Sequence, residues 1–241
     1  MTSIEFSRVS KFFRRTAGRQ LLRRYLQNIF QSGDGKGAFY ALTDVSFRIG
    51  PGESVALVGS NGAGKSTLLS LVARLAEPDE GRVTVSGRAA ALLELGSGFH
   101  QDLTGRENVH LNGSLLGLSR KQVLAAFDAI VDFADIGDFI DEPIRTYSAG
   151  MVMRLAFSVA VNVDPDILIV DEVIAVGDRA FQAKCYEKIR DFQRSGKTLL
   201  CVSHVVEAIQ QLCERTLWLD HGRLKMDGPS AEVLAAYRNT A

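Results

Sequence analysis

The amino-acid sequence predicts an α/β domain with a smaller helical lobe inserted in it, and three observations lead there. An apolar run over 53–58 breaks at Gly59 into a glycine-rich loop and then, from Lys65, into a helical pattern; strand, loop and helix follow in that order. Two more runs, 167–170 and 198–202, are apolar at nearly every position, the mark of parallel strands covered on both faces. Over 101–163 helix starts recur between these strands, so a helical lobe interrupts the sheet.

The elements can be justified in turn. Behind Lys65, residues Leu68, Leu69, Leu71 and Val72 give the first helix its apolar face, and short strands follow at 82–85 and 89–93. Thr104 with Glu107, and Ser119 with Gln122, are capping boxes that start two helices. After the second, Val123, Leu124, Phe127, Ile130, Val131 and Ala134 form one helical face. Ser148 is a natural N-cap for the helix over 152–161. Strands at 216–219 and 223–226 flank Asp220-His221-Gly222 as a hairpin. Upstream, Arg8 to Phe30 is rich in arginine and free of acids. Within it Leu21, Leu22, Tyr25, Leu26, Ile29 and Phe30 recur at helical spacing, while Arg19, Arg23 and Arg24 lie towards the other side. A basic amphipathic helix within an insertion at 12–38 is the expectation.

Composition narrows the function classes. The 241 residues suit one α/β domain with a smaller lobe, and Lys plus Arg balance Asp plus Glu at 28 each, so no global field would gather nucleic acid or coat an anionic membrane. Cys185, Cys201 and Cys213 are odd in number and form no C-x-x-C pair, which argues against a disulfide framework or a zinc site and for a reducing compartment. The first ten residues lack the apolar run of a signal peptide, and no stretch approaches ~18 apolar residues. The expectation is a chain that neither leaves the cell nor spans a bilayer.

The chemistry concentrates in three places. Gly59-Ser60-Asn61-Gly62-Ala63-Gly64-Lys65-Ser66 fits G-x-x-x-x-G-K-[ST]. In that pattern the glycines let backbone N–H groups face phosphates, the lysine reaches the β- and γ-phosphates and the serine ligates Mg²⁺. Ile167 to Val170 delivers two carboxylates, Asp171 and Glu172, at a strand's C-terminal end, the edge where α/β sheets bind ligands. Asp171 is placed to hold Mg²⁺ and Glu172 to orient and polarise an attacking water. Thr146-Tyr147-Ser148-Ala149-Gly150-Met151 is, taken alone, only a capped helix start.

Taken together these motifs, with a strand leading to Ser203-His204, resemble the ABC ATPase family over nearly the whole chain. The resemblance implies a P-loop ATPase core (1–100 and 164–241) with a small antiparallel β element and a helical subdomain at 101–163. ATP and Mg²⁺ would be bound by Ser60, Asn61, Gly62, Ala63, Gly64, Lys65, Ser66 and Thr67, with Tyr40 stacked on the adenine. Two copies would sandwich ATP head to tail, so that Ser148, Ala149, Gly150 and Met151 act in trans. His204 would contact the γ-phosphate and Asp178 would belong to the loop crossing the dimer interface. Glu94 would occupy the position of the Q-loop glutamine. Lys65, Glu172 and His204 would be the catalytic set.

Tyr-Ser-x-Gly-Met replaces the commoner Leu-Ser-Gly-Gly-Gln, and Leu92 to Phe99, Leu103 to Asn108 and Asp171 to Asp178 complete a set that resembles the ATP-binding subunits of bacterial polysaccharide exporters. This branch implies a homodimer peripheral to the cytoplasmic face of the inner membrane, a separate membrane-spanning permease, a lipid-linked polysaccharide substrate and no nucleic acid. For the basic helix within 12–38 two readings stay open: its apolar face packs on this domain, or it sits against the permease at the membrane surface with its arginines on phosphate groups. An ABC ATPase for another exported substrate such as a drug or lipid remains open, as does a non-transport ABC ATPase. A P-loop kinase would not need Ser148-x-Gly150 or a paired Glu172.

Overall fold

The computed structural model describes residues 3–14, 38–91, 98–171, 178–202 and 206–240. Strands β1 (Ile4–Arg14), β2 (Ala38–Ile49), β3 (Ser54–Val58), β4 (Glu80–Val85), β5 (Ala89–Ala91), β6 (Ile167–Asp171), β7 (Thr198–Val202), β8 (Arg215–Asp220) and β9 (Arg223–Pro229) make two sheets. The larger has the order β5-β6-β7-β3-β8-β9. Its neighbours run parallel except for β8 and β9, which pair antiparallel. The smaller, β2-β1-β4, is antiparallel throughout. The α-helices among the described residues are α1 (Lys65–Val72), α2 (Gly105–Leu115), α3 (Arg120–Ala134), α4 (Ala149–Asn162), α5 (Arg179–Arg194), α6 (Val206–Leu212) and α7 (Ser230–Arg238), with 3-10 turns at Gly137–Asp141 and Ile144–Thr146.

The strands that read as continuously apolar do so because both faces of the large sheet are covered. Ala56 and Val58, Leu168 and Val170, and Leu199 and Cys201 face one core, built with Leu155, Phe157 and Phe181. Val55 and Leu57, Ile167 and Ile169, and Leu200 and Val202 face the other, with α1 and the inner side of the small sheet. Alternate residues of a strand point to opposite faces, so a strand buried on both sides needs apolar residues at every position. All three cysteines are free and buried. Burial pushes the Cys185 thiol up to about 12, which keeps it protonated and unreactive.

Helix α2 starts as its sequence demands: the Glu107 N–H donates to Thr104 Oγ1 at 3.2 Å and the Thr104 N–H to Glu107 Oε2 at 2.9 Å. Ser119 and Gln122 make the same reciprocal pair at the start of α3. Between β8 and β9 the turn uses His221 (φ 47°) and Gly222 (φ 76°), the two positive φ values that a tight hairpin requires.

Two expectations change. Leu124 does not share the buried face of α3: Val123, Ile130 and Ala134 are buried there, while Leu124 is exposed. One residue is a 100° step around a helix, enough to carry Leu124 off the narrow face that packs on α2 and α4. The segment expected as an insertion at 12–38 begins and ends in strand, since Phe12–Arg14 belong to β1 and Ala38 opens β2, with Arg14 opposite Ala38. The proposed amphipathic helix, with its arginines and Leu21 to Phe30, lies outside the described residues.

Candidate functional site

The site begins where β3 delivers the chain into the glycine loop. Gly59 (φ 155°) and Gly64 (φ 104°) have conformations that L residues rarely adopt, and a Cβ on Gly64 would overlap the Ala41 carbonyl oxygen. The loop thus lies flush against β2 on one side and against Leu219 at the end of β8 on the other. It is pinned by Ala63 N–H to Ser60 O at 3.1 Å and by Gly222 N–H to Ala63 O at 3.0 Å. Helix α1 follows directly. Its N-cap, Gly64, offers no side-chain acceptor and its first turn has no acid, so its leading N–H groups and positive dipole end are open to an anion.

Beneath that helix end is a cleft of about 300 Å³. Asn61, Gly62, Gly64, Lys65, Ser66 and Thr67 line one side, Phe39 and Ala41 of β2 another, and Val202 at the end of β7 the floor. Lys65 Nζ donates to Gly59 O at 2.7 Å and Ser60 O at 3.1 Å, so the ammonium is folded onto the loop that an anion would occupy. Ser60 contributes this carbonyl, and Ala63, buried, contributes backbone.

Tyr40 does not line the cleft. Phe39 and Ala41 do, and Tyr40 points to the opposite side of β2, where its ring packs on Phe12 with centroids 5.6 Å apart. Phe13, opposite Phe39 in the register, shares the cleft side. A register shift between Lys11 and Phe12 decides which aromatic faces inward, and spacing along the sequence cannot show it.

Asp171 ends β6 in register with Val202, and Leu57, also in register with Val202, leads by one residue to the loop. The backbone thereby brings Asp171 to the same sheet edge as the cleft. Glu94, Glu172 and His204 lie outside the described residues. Asp178 is the N-cap of α5 and accepts from Phe181 N–H at 2.9 Å. That bond, helped by Arg154 and Lys184, holds its carboxyl below the usual range.

Ser148, Ala149, Gly150 and Met151 line no part of the cleft. They open α4, with Ser148 Oγ accepting from Met151 N–H at 3.2 Å. Ser148 and Ala149 are exposed, and a Cβ on Gly150 would meet only Ser148 Oγ, at 3.8 Å. Among the described residues, nothing packed requires a glycine at 150. Tyr147 before them is buried and its hydroxyl donates to Phe139 O. Burial, with Asp141 and Glu142 adding to it, pushes that hydroxyl up to about 12.

Two residues escaped the sequence reasoning. Phe39 was hidden behind its neighbour Tyr40, and Asn108, inside a quoted motif, carried no assigned role. Asn108 is fully buried and binds the loop over 100–104 by four hydrogen bonds, one to His100 N–H and three to carbonyls. A buried asparagine in an otherwise polar helix start gives no periodic signal.

Comparison with known proteins places this geometry. The ABC transporter family profile matches residues 42–175. The O-antigen export system ATP-binding protein RfbB of Klebsiella pneumoniae is 53% identical over 84% of this chain and 83% of its own length. The teichoic acids export ATP-binding protein TagH of Bacillus cereus is 39% identical over 88% of this chain and 39% of its own. The dimeric structure of a post-hydrolysis state of the ATP-binding cassette MJ0796, bound to ADP and Pi, superposes with a TM-score of 0.74 at 20% identity, over 94% of this chain and 98% of that one.

Proposed function

The chain belongs to the ABC transporter family, and we propose that it is the ATP-hydrolysing subunit of an exporter that moves a lipid-linked polysaccharide across the bacterial cytoplasmic membrane. The observation that carries the reading is the cleft under the uncapped start of α1, lined by Lys65 and Ser66. Such an end, shaped by glycines and faced by an ammonium, suits the phosphates of a nucleotide. The substrate class is supported by the export proteins of surface polysaccharides to which the chain is 53% and 39% identical.

In this reading Lys65 turns from the loop carbonyls to the β- and γ-phosphates, and the N–H groups of 60–67 cradle them. Phe39 replaces Tyr40 as the residue that stacks on the adenine. Ser66 and Asp171 offer the hard oxygen donors that would hold Mg²⁺, which when bound supplies positive charge against the phosphates. Glu172 takes the water's proton or orients the water for in-line attack, and His204 hydrogen-bonds the γ-phosphate. Ser148 and Gly150 of a second copy close the site. The exposed Ser148 and the unfilled space over Gly150 support that role, because a ligand held by another copy needs both. Asp178 lies at the interface, and Glu94 links the site to the helical lobe and a separate permease. No helix among the described residues is long and apolar enough to cross a membrane. In this reading a separate permease chain supplies the path, with this chain docked on its cytoplasmic side.

Two variants test it. Lys65→Ala should weaken ATP binding, because it removes charge from the cradle, whereas Glu172→Gln should keep binding and lower hydrolysis on the order of 10² to 10⁴-fold. In cells lacking the parental copy, Lys65→Ala should fail to restore surface polysaccharide. Parental hydrolysis by Glu172→Gln, or normal surface polysaccharide with Lys65→Ala, would overturn the assignment.

A further inference from the structure

Two segments far apart in sequence are zipped together at the base of the helical lobe. The Gly105 N–H donates to Glu142 O at 3.1 Å, Ile144 N–H to Leu103 O at 2.9 Å and Arg145 N–H to Gln101 O at 3.0 Å. Thr104 and Pro143 form an antiparallel bridge, and Arg145 pairs with Asp102 at 2.9 Å. Each bond fixes the chain that runs straight into Tyr147 and Ser148. At the end of the zip the Tyr147 ring meets Phe139 edge-on, with centroids 6.2 Å apart, and its hydroxyl fills the place where a Cβ on Gly105 would stand. Gly105 has no positive φ. Its backbone would accept any residue, so the space around it is what requires glycine: the Tyr147 hydroxyl overlaps the Cβ position outright, and Ile140 O stands at a tight 3.0 Å from it.

Ser148 and Ala149 are exposed, and Gly150 touches little of its own chain. What this chain does hold firmly is the residue just before them. We propose that Tyr147, seated in the gap left by Gly105, is the positioning residue for Ser148 and Gly150, and so sets the half-site that this chain offers to the nucleotide on a second copy. The inference rests on the reading that ATP is closed between two copies. A Cβ at 105 must displace the Tyr147 ring, and with it the cap of α4. Misplacing a group that completes an active site by about 1 Å costs on the order of 10²-fold in rate, whereas ATP binding by a single chain should be untouched.

The experiment uses the full chain. Gly105→Ala should bind ATP within about twofold of the parent and lose turnover on the order of 10²-fold. Adding Tyr147→Phe, which deletes the overlapping oxygen, should restore most of it. The decisive arm mixes Gly105→Ala with Lys65→Ala in equal amounts. A mixed dimer pairs the sound P-loop of one variant with the sound half-site of the other, so the mixture should recover about a quarter of parental activity. A mixture of Ser148→Arg with Lys65→Ala is the control.

If the control recovers activity and the Gly105→Ala mixture does not, Tyr147 does not act across the interface and the proposal fails. Parental turnover by Gly105→Ala, or no recovery on adding Tyr147→Phe, overturns it as well. If neither mixture recovers, the shared site is itself wrong and the role of Tyr147 falls with it. Should Gly105→Ala not fold, Tyr147→Leu, which removes the hydroxyl and opens the gap, is read in the same mixing assay.

Discussion

Replacing Asn108 with alanine removes the buried side chain that ties His100, Leu103 and Thr104 to α2. Its Oδ1 accepts from His100 N–H at 2.7 Å, and its Nδ2 donates to His100 O, Leu103 O and Thr104 O at 3.0, 3.1 and 2.9 Å. Each of these carbonyls keeps a backbone partner, from Leu103, Ile144 and Asn108 N–H respectively. The group left bare is the His100 N–H, at about 1–3 kcal/mol, and the lost amide bonds contribute about 1 kcal/mol for each of two hydrogens. Asn108→Ala should therefore cost about 3–5 kcal/mol, or a fall of roughly 6–20 °C in Tm for a chain of this size. Thermal and urea unfolding of the full chain measure it. A loss under about 1 kcal/mol would refute the view that Asn108 braces this loop. Asn108→Asp adds a sign. Its carboxyl would be buried against three carbonyls, which raises its pKa in the folded state. The neutral acid is thus the compatible form, and the variant's deficit should shrink as pH falls towards 4 and widen as pH rises.

Phe39→Ala should raise the Kd for ATP about tenfold or more, the worth of one stacked base, while Tyr40→Ala should change it less than about twofold; the reverse ranking, by fluorescent-nucleotide titration, would return the adenine to Tyr40. Gly64→Ala should abolish ATP binding, because a Cβ there overlaps Ala41 O at a positive φ, and ordinary binding by that variant would contradict the loop geometry. The Tyr147 hydroxyl, raised from 10.0 to about 12, favours the folded state while neutral. Its contribution is complete below the unfolded value of about 10 and lost as pH rises through about 12. Urea unfolding between those limits should show a steeper loss of stability in the parent than in Tyr147→Phe, and equal slopes would deny the burial.

Local signals made much of this readable in the sequence. The glycine loop, both capping boxes, the Ser148 cap and the His221-Gly222 turn depend on a few adjacent residues, and each forms where its residues predict. The two-sided burial of β6 and β7 was legible because apolar residues occupy both faces. Long-range pairing was not. Whether Phe39 or Tyr40 faces the cleft turns on a shift in the pairing of β1 with β2, and the zip between 101–105 and 142–145 joins segments whose sequences give no sign of each other. Gly105 was noticed only as part of a motif. Its main reason is a tyrosine hydroxyl from the far end of that zip.

The central claim is that ATP is held between two copies of this chain, one giving the glycine loop and the other Ser148 and Gly150. Light scattering of the 241-residue Glu172→Gln protein tests it most directly, because this variant should bind ATP without consuming it. With saturating ATP and Mg²⁺ the mass should rise from 26.3 kDa to twice that value, and return when nucleotide is removed. A mass that stays at 26.3 kDa with ATP demonstrably bound would contradict the account.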